Sequence, residues 1–118
     1  MNYLIYLYNA KVVEIDFKDQ LLLDLFIGNK TNNKQFRSNP VLIKKFKKTI
    51  IILNASKNLN TLSKISGLNY ERLKGNLIGY ASVRIDKKYR LIIREVYYDL
   101  DPEKLKQLEI IEISNHYS

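Results

Sequence analysis

The stretch at residues 80–94 reads YASVRIDKKYRLIIR, and its pattern is the strongest indication of the fold of this chain. Apolar and polar residues alternate on both sides of a short polar break, a pattern typical of two strands joined as a hairpin. A three-residue loop at 86–88 pairs Ile85 with Tyr89 and separates the side chains into two faces. One face holds Ala81, Val83, Ile85, Tyr89, Leu91 and Ile93, and the other holds Tyr80, Ser82, Arg84, Arg90, Ile92 and Arg94. A two-residue loop would mix arginine with leucine and isoleucine, so we expect the longer loop.

The same register places Arg84 directly opposite Arg90 on the polar face of the hairpin. Two cations at paired positions repel each other, and a bound anion would relieve that repulsion. A planar guanidinium also holds two phosphate oxygens at fixed geometry. The pair therefore indicates a phosphate-binding site, with the alternative that one arginine simply pairs with a nearby acid.

Strand and helix patterns precede the hairpin. Residues 12–17 predict a strand, and residues 3–8 allow an extra one. Apolar residues recur at helical spacing over 18–27, and Gly28 is a natural helix end. The polar stretch at 29–39 is expected to be a loop.

A cap signal begins a longer helix after this loop. Asn39 can cap the helix, and Pro40 suits its first position. The apolar spacing then continues to about Ala55; a strand over residues 50–53 is the alternative, but the helical pattern runs through them. A shorter helix is expected at 59–65.

The C-terminal part alternates again over residues 109–117, which predicts a last strand. One side of that strand would hold Ile111, Ile113 and Tyr117, and the other Glu112, Ser114 and His116. The acidic segment at 97–107 is expected to be a turn or a short helical piece, because Asp101-Pro102-Glu103 suits a helix start.

Composition excludes several classes of site. The 118 residues fit one domain, residues 1–118, and they contain no cysteine and one histidine. Disulfide scaffolds, thiolate nucleophiles and sulfur-ligated zinc are therefore excluded, and we expect no metal and no other cofactor. No apolar run approaches the roughly 20 residues that span a bilayer. The start of the chain lacks the basic residues of a secretion signal, so a cytoplasmic protein with no membrane contact is expected.

The formal net charge of +8 is unevenly distributed. Residues 30–94 carry sixteen Lys or Arg against two acids, whereas residues 1–29 and 95–118 are both net acidic. Such a concentration is typical of a surface that binds polyanions. The alternative is compositional drift, since lysine residues also serve as solubilising groups.

Cleavage of RNA without a metal suits the residues expected near one sheet face. The substrate supplies its own 2′-hydroxyl nucleophile, and the protein needs a base, an acid and cations on the phosphate. The candidates are Lys74, Tyr80, Ser82, Arg84, Arg90, Arg94, His116 and Tyr117. A histidine can act as base or acid near neutral pH, and a tyrosine ring can stack on a base. Each of these residues taken alone has an ordinary structural explanation, so the combination carries the hypothesis.

Several short motifs together resemble the RelE/ParE toxin superfamily, and within it the HigB-like branch. They are Gly67-Leu68-Asn69, Leu73-Lys74-Gly75, Gly79-Tyr80, Ser82-Val83-Arg84-Ile85-Asp86, Tyr89-Arg90-Leu91-Ile92 and Asn115-His116-Tyr117. The resemblance extends over about residues 12–117. It implies an α+β fold in which N-terminal helices pack on one face of a curved antiparallel sheet of about four strands. The other face would be open to RNA.

The resemblance also implies a function. HigB-like toxins are described as ribosome-dependent mRNA interferases that a helix-turn-helix (HigA-like) antitoxin neutralises, so mRNA on the ribosome and that antitoxin are the expected partners. ParE-like members inhibit gyrase by binding, and a degenerate member would bind only nucleic acid; both remain alternatives.

The resemblance also implies roles for individual residues, according to their positions in the matching motifs. Arg90 would stabilise the transition state, Lys74 and Arg84 would contact phosphate, and His116 would transfer a proton. Many relatives end in Asp-Tyr-His, whereas this chain has Asn115-His116-Tyr117, so Tyr117 is an alternative for the proton transfer. The further RNA-binding candidates are Tyr80, Ser82, Lys87, Lys88 and Arg94.

Overall fold

The computed structural model describes residues 3–5, 13–56, 58–99 and 101–115, with the backbone alone at 3–5 and 101–103. In chain order the elements are β1 (Tyr3–Ile5), β2 (Glu14–Phe17), α1 (Gln20–Ile27), α2 (Lys34–Arg37), α3 (Pro40–Asn54), α4 (Leu59–Ser63), β3 (Glu71–Arg72), a 3-10 helix (Gly75–Leu77), β4 (Tyr80–Arg84), β5 (Arg90–Tyr98) and β6 (Asp101–Ser114).

The strands form one mixed sheet in the order β1-β2-β6-β5-β4-β3. The α+β class is confirmed, but the sheet has six described strands rather than about four. The pairing of β2 with β6 is parallel, and the other pairings are antiparallel. A parallel neighbour requires a long crossover, and all four helices lie in the chain between β2 and β6.

The hairpin at residues 80–94 has the predicted register. Arg84 pairs with Arg90, and the Ile85 amide donates to the Tyr89 carbonyl at 3.0 Å. The Asp86 carboxylate closes the loop by accepting from the amides of Lys88 at 2.8 Å and Tyr89 at 2.7 Å. All six residues of the predicted apolar face are buried. The three-residue loop is therefore confirmed.

The helices begin where capping side chains satisfy free backbone amides. Asp19 accepts from the Leu22 amide at 3.0 Å, and Asn39 accepts from the Leu42 amide at 3.3 Å with Pro40 in the first turn. Gly28 ends α1 in the left-handed conformation, at φ 89°. The predicted helices at 18–27, 40–55 and 59–65 are confirmed within two residues at each end.

The loop predicted over residues 29–39 contains a helix. Asn33 caps α2, and Phe36 within it is buried in the core at 4% exposure. One phenylalanine in a polar stretch gives no periodic pattern, yet its burial holds a single helical turn against α3.

The segment at 97–107, expected to be a turn or short helical piece, is instead the end of a long hairpin. β5 continues to Tyr98 and β6 begins at Asp101, with Tyr97 paired to Leu105. Leu105 is 3% exposed, so this arm contributes to the core. Pro102 lies at the irregular pairing between Tyr97–Leu105 and Tyr98–Asp101, where a missing amide is tolerated.

The last strand ends at Ser114, and residues 116–118 lie outside the described part of the chain. A bulge occurs where Ile92 pairs with Glu112 and Ile93 pairs with Ile110. The extra residue is Ile111, which was expected on the core side of the strand. It lines the open face instead, because one inserted residue shifts the alternation.

The core lies between the helices and one face of the sheet. Its fully buried side chains include Phe46, Ile50 and Leu53 of α3 and Leu91 and Ile93 of β5. The Asn54 amide donates to the Val13 carbonyl at 2.7 Å, which ties the end of α3 to the strand beside it. The opposite face carries Arg84, Arg90 and Arg94.

Candidate functional site

Arg90 is the most firmly positioned cation of the open face. Its Nε donates to the Ser82 hydroxyl at 3.0 Å, and its Nη2 donates to the Asn69 carbonyl at 2.6 Å and the Ser82 carbonyl at 3.2 Å. Ser82 is fully buried beneath it. No carboxylate of the described residues forms an ion pair with Arg90, so its charge remains available to an anion.

Arg84 is exposed and lies in a separate setting. It lines a cleft of about 270 Å³ together with Lys45 and Lys48 of α3 and the turn that contains Gly67. Its backbone amide donates to the Leu68 carbonyl at 2.7 Å. The cleft gathers three cations, of which Arg84 belongs to the Arg84–Arg90 pair, and the sequence did not indicate that α3 supplies the other two.

Arg94 differs from the other two arginine residues because it has an acidic partner. Its Nε lies 2.8 Å from a Glu109 carboxylate oxygen, and the two residues are paired across β5 and β6. The alternative considered for Arg84 and Arg90, neutralisation by a nearby acid, therefore applies to Arg94. A phosphate would compete with Glu109 for this guanidinium.

Tyr80 lines an apolar cavity of about 350 Å³ on the same side of the sheet as Ile92 and Ile111. Glu112 and Ser114 add polar groups to its lining. The bulge described above contributes Ile111 to this cavity. Ile92 lies on β5, the strand that also carries Arg90, so the cavity presents an apolar surface on that strand.

The remaining predicted residues lie at the surface or outside the described chain. Lys74 is exposed just before the 3-10 helix, and Lys87 and Lys88 are exposed in the hairpin loop. The Lys88 ammonium lies 5.5 Å from the centre of the Tyr89 ring. His116 and Tyr117 lie outside the described residues, and their relation to Arg90 stays a prediction.

A buried carboxylate network lies at the β3 edge of the sheet. Glu95 accepts hydrogen bonds from the Tyr70 hydroxyl and, at 2.7 Å, from the Tyr97 hydroxyl. Arg72 lies 3.3 Å from Glu95 and donates to the Tyr97 hydroxyl at 2.7 Å. Tyr70, Arg72 and Tyr97 also line a cleft of about 790 Å³ against α4.

Sequence reasoning missed this network, although one signal was present. Glu95 follows Leu91 and Ile93 at the alternating positions that point to the core. A carboxylate at such a position must be paired and hydrogen-bonded, or burial would neutralise it. The position of Glu95 therefore indicates that donors lie nearby, but not which residues supply them.

The network perturbs both of its tyrosine residues. Burial, and then the hydrogen bond to Glu95, raise the pKa of Tyr97 to about 12. The same two causes raise the pKa of Tyr70 well above its usual range. Both phenols therefore keep their protons in the folded protein under conditions in which an unfolded chain would lose them.

Folding stability should consequently decrease as the pH rises from about 10 toward 12. A group whose pKa is higher in the folded state contributes stability below its unfolded pKa, and that contribution is lost as the pH rises through the folded pKa. Urea unfolding across this range should show a shallower decline for Tyr97→Phe than for the unchanged protein. Parallel declines would contradict the assignment.

The geometry can be compared with known proteins. The model of the family described as "RelE-like toxin of type II toxin-antitoxin system HigB" matches residues 15–99. The chain belongs to the family of HigB-like toxins. The matched range runs from β2 through the hairpin and includes Arg84, Arg90 and the whole Glu95 network.

Two relatives agree with this assignment. The HigB-like chain is 34% identical over 84 residues to Toxin HigB-1 of Vibrio cholerae serotype O1, an alignment that covers 70% of this chain and 83% of the relative. The YoeB-YefM complex from Staphylococcus aureus is similar in structure, with a TM-score of 0.54 and 25% identity. That match covers 89% of this chain and 98% of the other.

A HigB-like toxin of a type II system has an antitoxin as its partner. Within the described ranges, no helix is both long enough and apolar enough to cross a membrane.

Proposed function

We propose that this HigB-like toxin is a ribosome-dependent mRNA endoribonuclease that needs no metal ion. Toxins of the HigB and RelE type are mRNA endoribonucleases, which supports the proposal at the level of the family. The observation that carries it is Arg90, an unneutralised guanidinium held by three hydrogen bonds on the open face, opposite Arg84. A fixed cation of this kind suits a phosphate on which charge develops.

The reaction follows from what RNA provides. The 2′-oxygen attacks the adjacent phosphorus, the bond to the 5′-oxygen breaks, and a 2′,3′-cyclic phosphate and a 5′-hydroxyl remain. The proton of the 2′-hydroxyl goes to a base, and an acid protonates the departing oxygen. His116 and Tyr117 are the candidates for these proton transfers.

The cations of the site have different roles toward the RNA phosphates. Arg90 stabilises the pentacovalent phosphate, because its bonds to Ser82 and Asn69 fix the guanidinium before substrate binds. Arg84 and Lys74 bind phosphate groups, and Lys87 and Lys88 add further contacts to the RNA backbone. Arg94 contributes less, because Glu109 already occupies its Nε.

The open-face cavity gives the RNA a place for a base. Tyr80 is half-buried at its rim, so the ring can stack on a base while Ile92 contacts it from the sheet. Stacking at this point would bring the adjacent phosphodiester to the neighbouring strands β4 and β5, which carry Ser82 and Arg90.

The proposed function also includes a type of antitoxin, a site of action in the cell and a single toxin domain. The antitoxin is a helix-turn-helix protein of HigA type, the site of action is the translating ribosome in the cytoplasm, and residues 1–118 form one toxin domain. The sequence adjacent to this gene should encode the antitoxin.

Two assays run side by side test the proposal. The purified chain is added to a translation mixture with a defined mRNA, and separately to a gyrase supercoiling reaction. We expect mRNA cleavage that requires ribosomes and normal supercoiling. Inhibited supercoiling with intact mRNA would establish a ParE-like toxin instead, and salt-sensitive RNA binding without cleavage would establish a degenerate member.

A further inference from the structure

The segment at residues 69–72 pairs with β4 through Glu71 and Arg72, and it also contacts β5 at two points. At its start, the Asn69 carbonyl accepts the shortest of the three Arg90 hydrogen bonds, at 2.6 Å. At its end, Tyr70 and Arg72 contact Glu95 on β5. Arg90 lies near the start of β5 and Glu95 lies five residues further along, so one strand holds both ends.

The backbone conformation of Asn69, whose carbonyl accepts from Arg90, depends on the contacts of neighbouring residues. Asn69 has a φ of 48°, and it is the one non-glycine residue with positive φ among the described residues. Asparagine tolerates this conformation better than most residues do, but it persists only where neighbouring contacts determine it. On one side of Asn69 in the chain, the Leu68 carbonyl accepts from the Arg84 amide at 2.7 Å, and on the other side Tyr70 contacts Glu95.

The Glu95 carboxylate is well placed to fix the Tyr70 hydroxyl. Its side chain is 4% exposed, and its two carboxylate oxygens accept from Tyr70, Tyr97 and Arg72. Hydrogen bonds to a buried carboxylate are among the stronger ones in proteins, because the acceptor is charged and removed from water. Tyr70 remains a protonated donor, since burial raises its pKa.

We propose that Glu95 is a positioning residue for the proposed cleavage: through the Tyr70 hydroxyl it fixes the left-handed turn at Asn69, whose carbonyl orients the Arg90 guanidinium. Glu95 and Tyr70 touch no RNA in this account. They act by keeping Nη2 engaged, so that the remaining N–H groups of Arg90 point to the open face before the phosphate arrives.

The role of Glu95 in cleavage rests on the proposed function, but its role in orienting Arg90 does not. Two variants form a matched pair for the test. Tyr70→Phe and Tyr97→Phe each remove one hydroxyl from Glu95, and only Tyr70 is bonded in sequence to Asn69. Loss of a hydroxyl alone should leave the fold intact in both.

The direct readout is the solvent-exchange rate of the Arg90 Nη2–H protons, one of which donates to the Asn69 carbonyl, measured by NMR on the full chain and assigned with Arg90→Lys. We expect Tyr70→Phe to raise this rate several-fold and Tyr97→Phe to leave it unchanged. In ribosome-bound cleavage, Tyr70→Phe should lower kcat by about tenfold and leave KM within about twofold, as expected when a reacting group is displaced slightly.

An unchanged exchange rate in Tyr70→Phe would overturn the inference, and so would equal changes in the two variants, which would indicate a merely structural role for the network. If the unchanged protein cleaves no mRNA, the proposed function fails, while the exchange rates still decide whether Glu95 positions Arg90.

Discussion

Replacing Arg90 with alanine should lower mRNA cleavage by about 10²- to 10³-fold, the usual cost of removing one preorganised donor from a developing charge. Arg90 is half-buried, and its guanidinium has no acidic partner among the described residues and is oriented by three hydrogen bonds. The substitution removes that group and leaves the apolar face of the hairpin untouched. Single-turnover cleavage on programmed ribosomes measures the effect.

Arg37→Ala is the matched control. Arg37 is an exposed residue at the end of α2, so the variant has the same change in net charge at a site away from the hairpin. It should cleave within about twofold of the unchanged protein, because a surface charge on another element affects only long-range attraction. Equal losses in the two variants would show that net charge, and not the position of Arg90, supports the reaction. Circular dichroism confirms that both variants fold.

Phe46→Ala should reduce the free energy of unfolding by about 3–5 kcal/mol, the range measured for large-to-small aromatic changes in protein cores. Phe46 is 0% exposed at the centre of α3, in the cluster that joins the helices to the sheet. The loss combines the apolar surface no longer buried with the cavity that the rigid surroundings cannot fill. Urea unfolding followed by circular dichroism gives the value.

Ile51→Ala serves as the control for that measurement. Ile51 lies on the same helix and is 55% exposed, so its removal should cost less than about 1 kcal/mol. A similar loss for the two variants would contradict the assignment of the buried face of α3.

The hairpin could be predicted from the sequence because its pattern is strict. Only one loop length separates the apolar residues from the arginine residues, and a one-residue slip would reverse every side chain. The caps at Asn39 and Gly28 were similarly local: each depends on one residue and its neighbours along the chain. Local rules sufficed for these elements.

Tertiary contacts determined the parts that were missed. The arm over residues 97–107 is stabilised by pairing between two strands and by burial of Leu105, and neither is visible in an acidic segment taken alone. The bulge at Ile111 inserts one residue into a regular alternation, and no feature of the sequence marks it.

In the candidate site, too, some features follow from local pattern and others from tertiary contacts. The opposition of Arg84 and Arg90 follows from strand register, so it could be predicted. The Glu109 partner of Arg94 and the Asn69 carbonyl that holds Arg90 come from strands and turns distant in sequence. Buried Glu95 could have been questioned from its position, but two of its three donors, Tyr70 and Arg72, depend on the placement of the β3 edge.

Whether the chain is an mRNA endoribonuclease is tested most directly in cells. There, mRNA 5′ ends are mapped after brief induction of the chain without its antitoxin. The proposed endoribonuclease activity predicts growth arrest and new 5′-hydroxyl ends inside translated regions, and both should be absent when Arg90→Ala is induced to the same level. Growth arrest with intact mRNA, or unchanged cleavage by the Arg90→Ala variant, would contradict it.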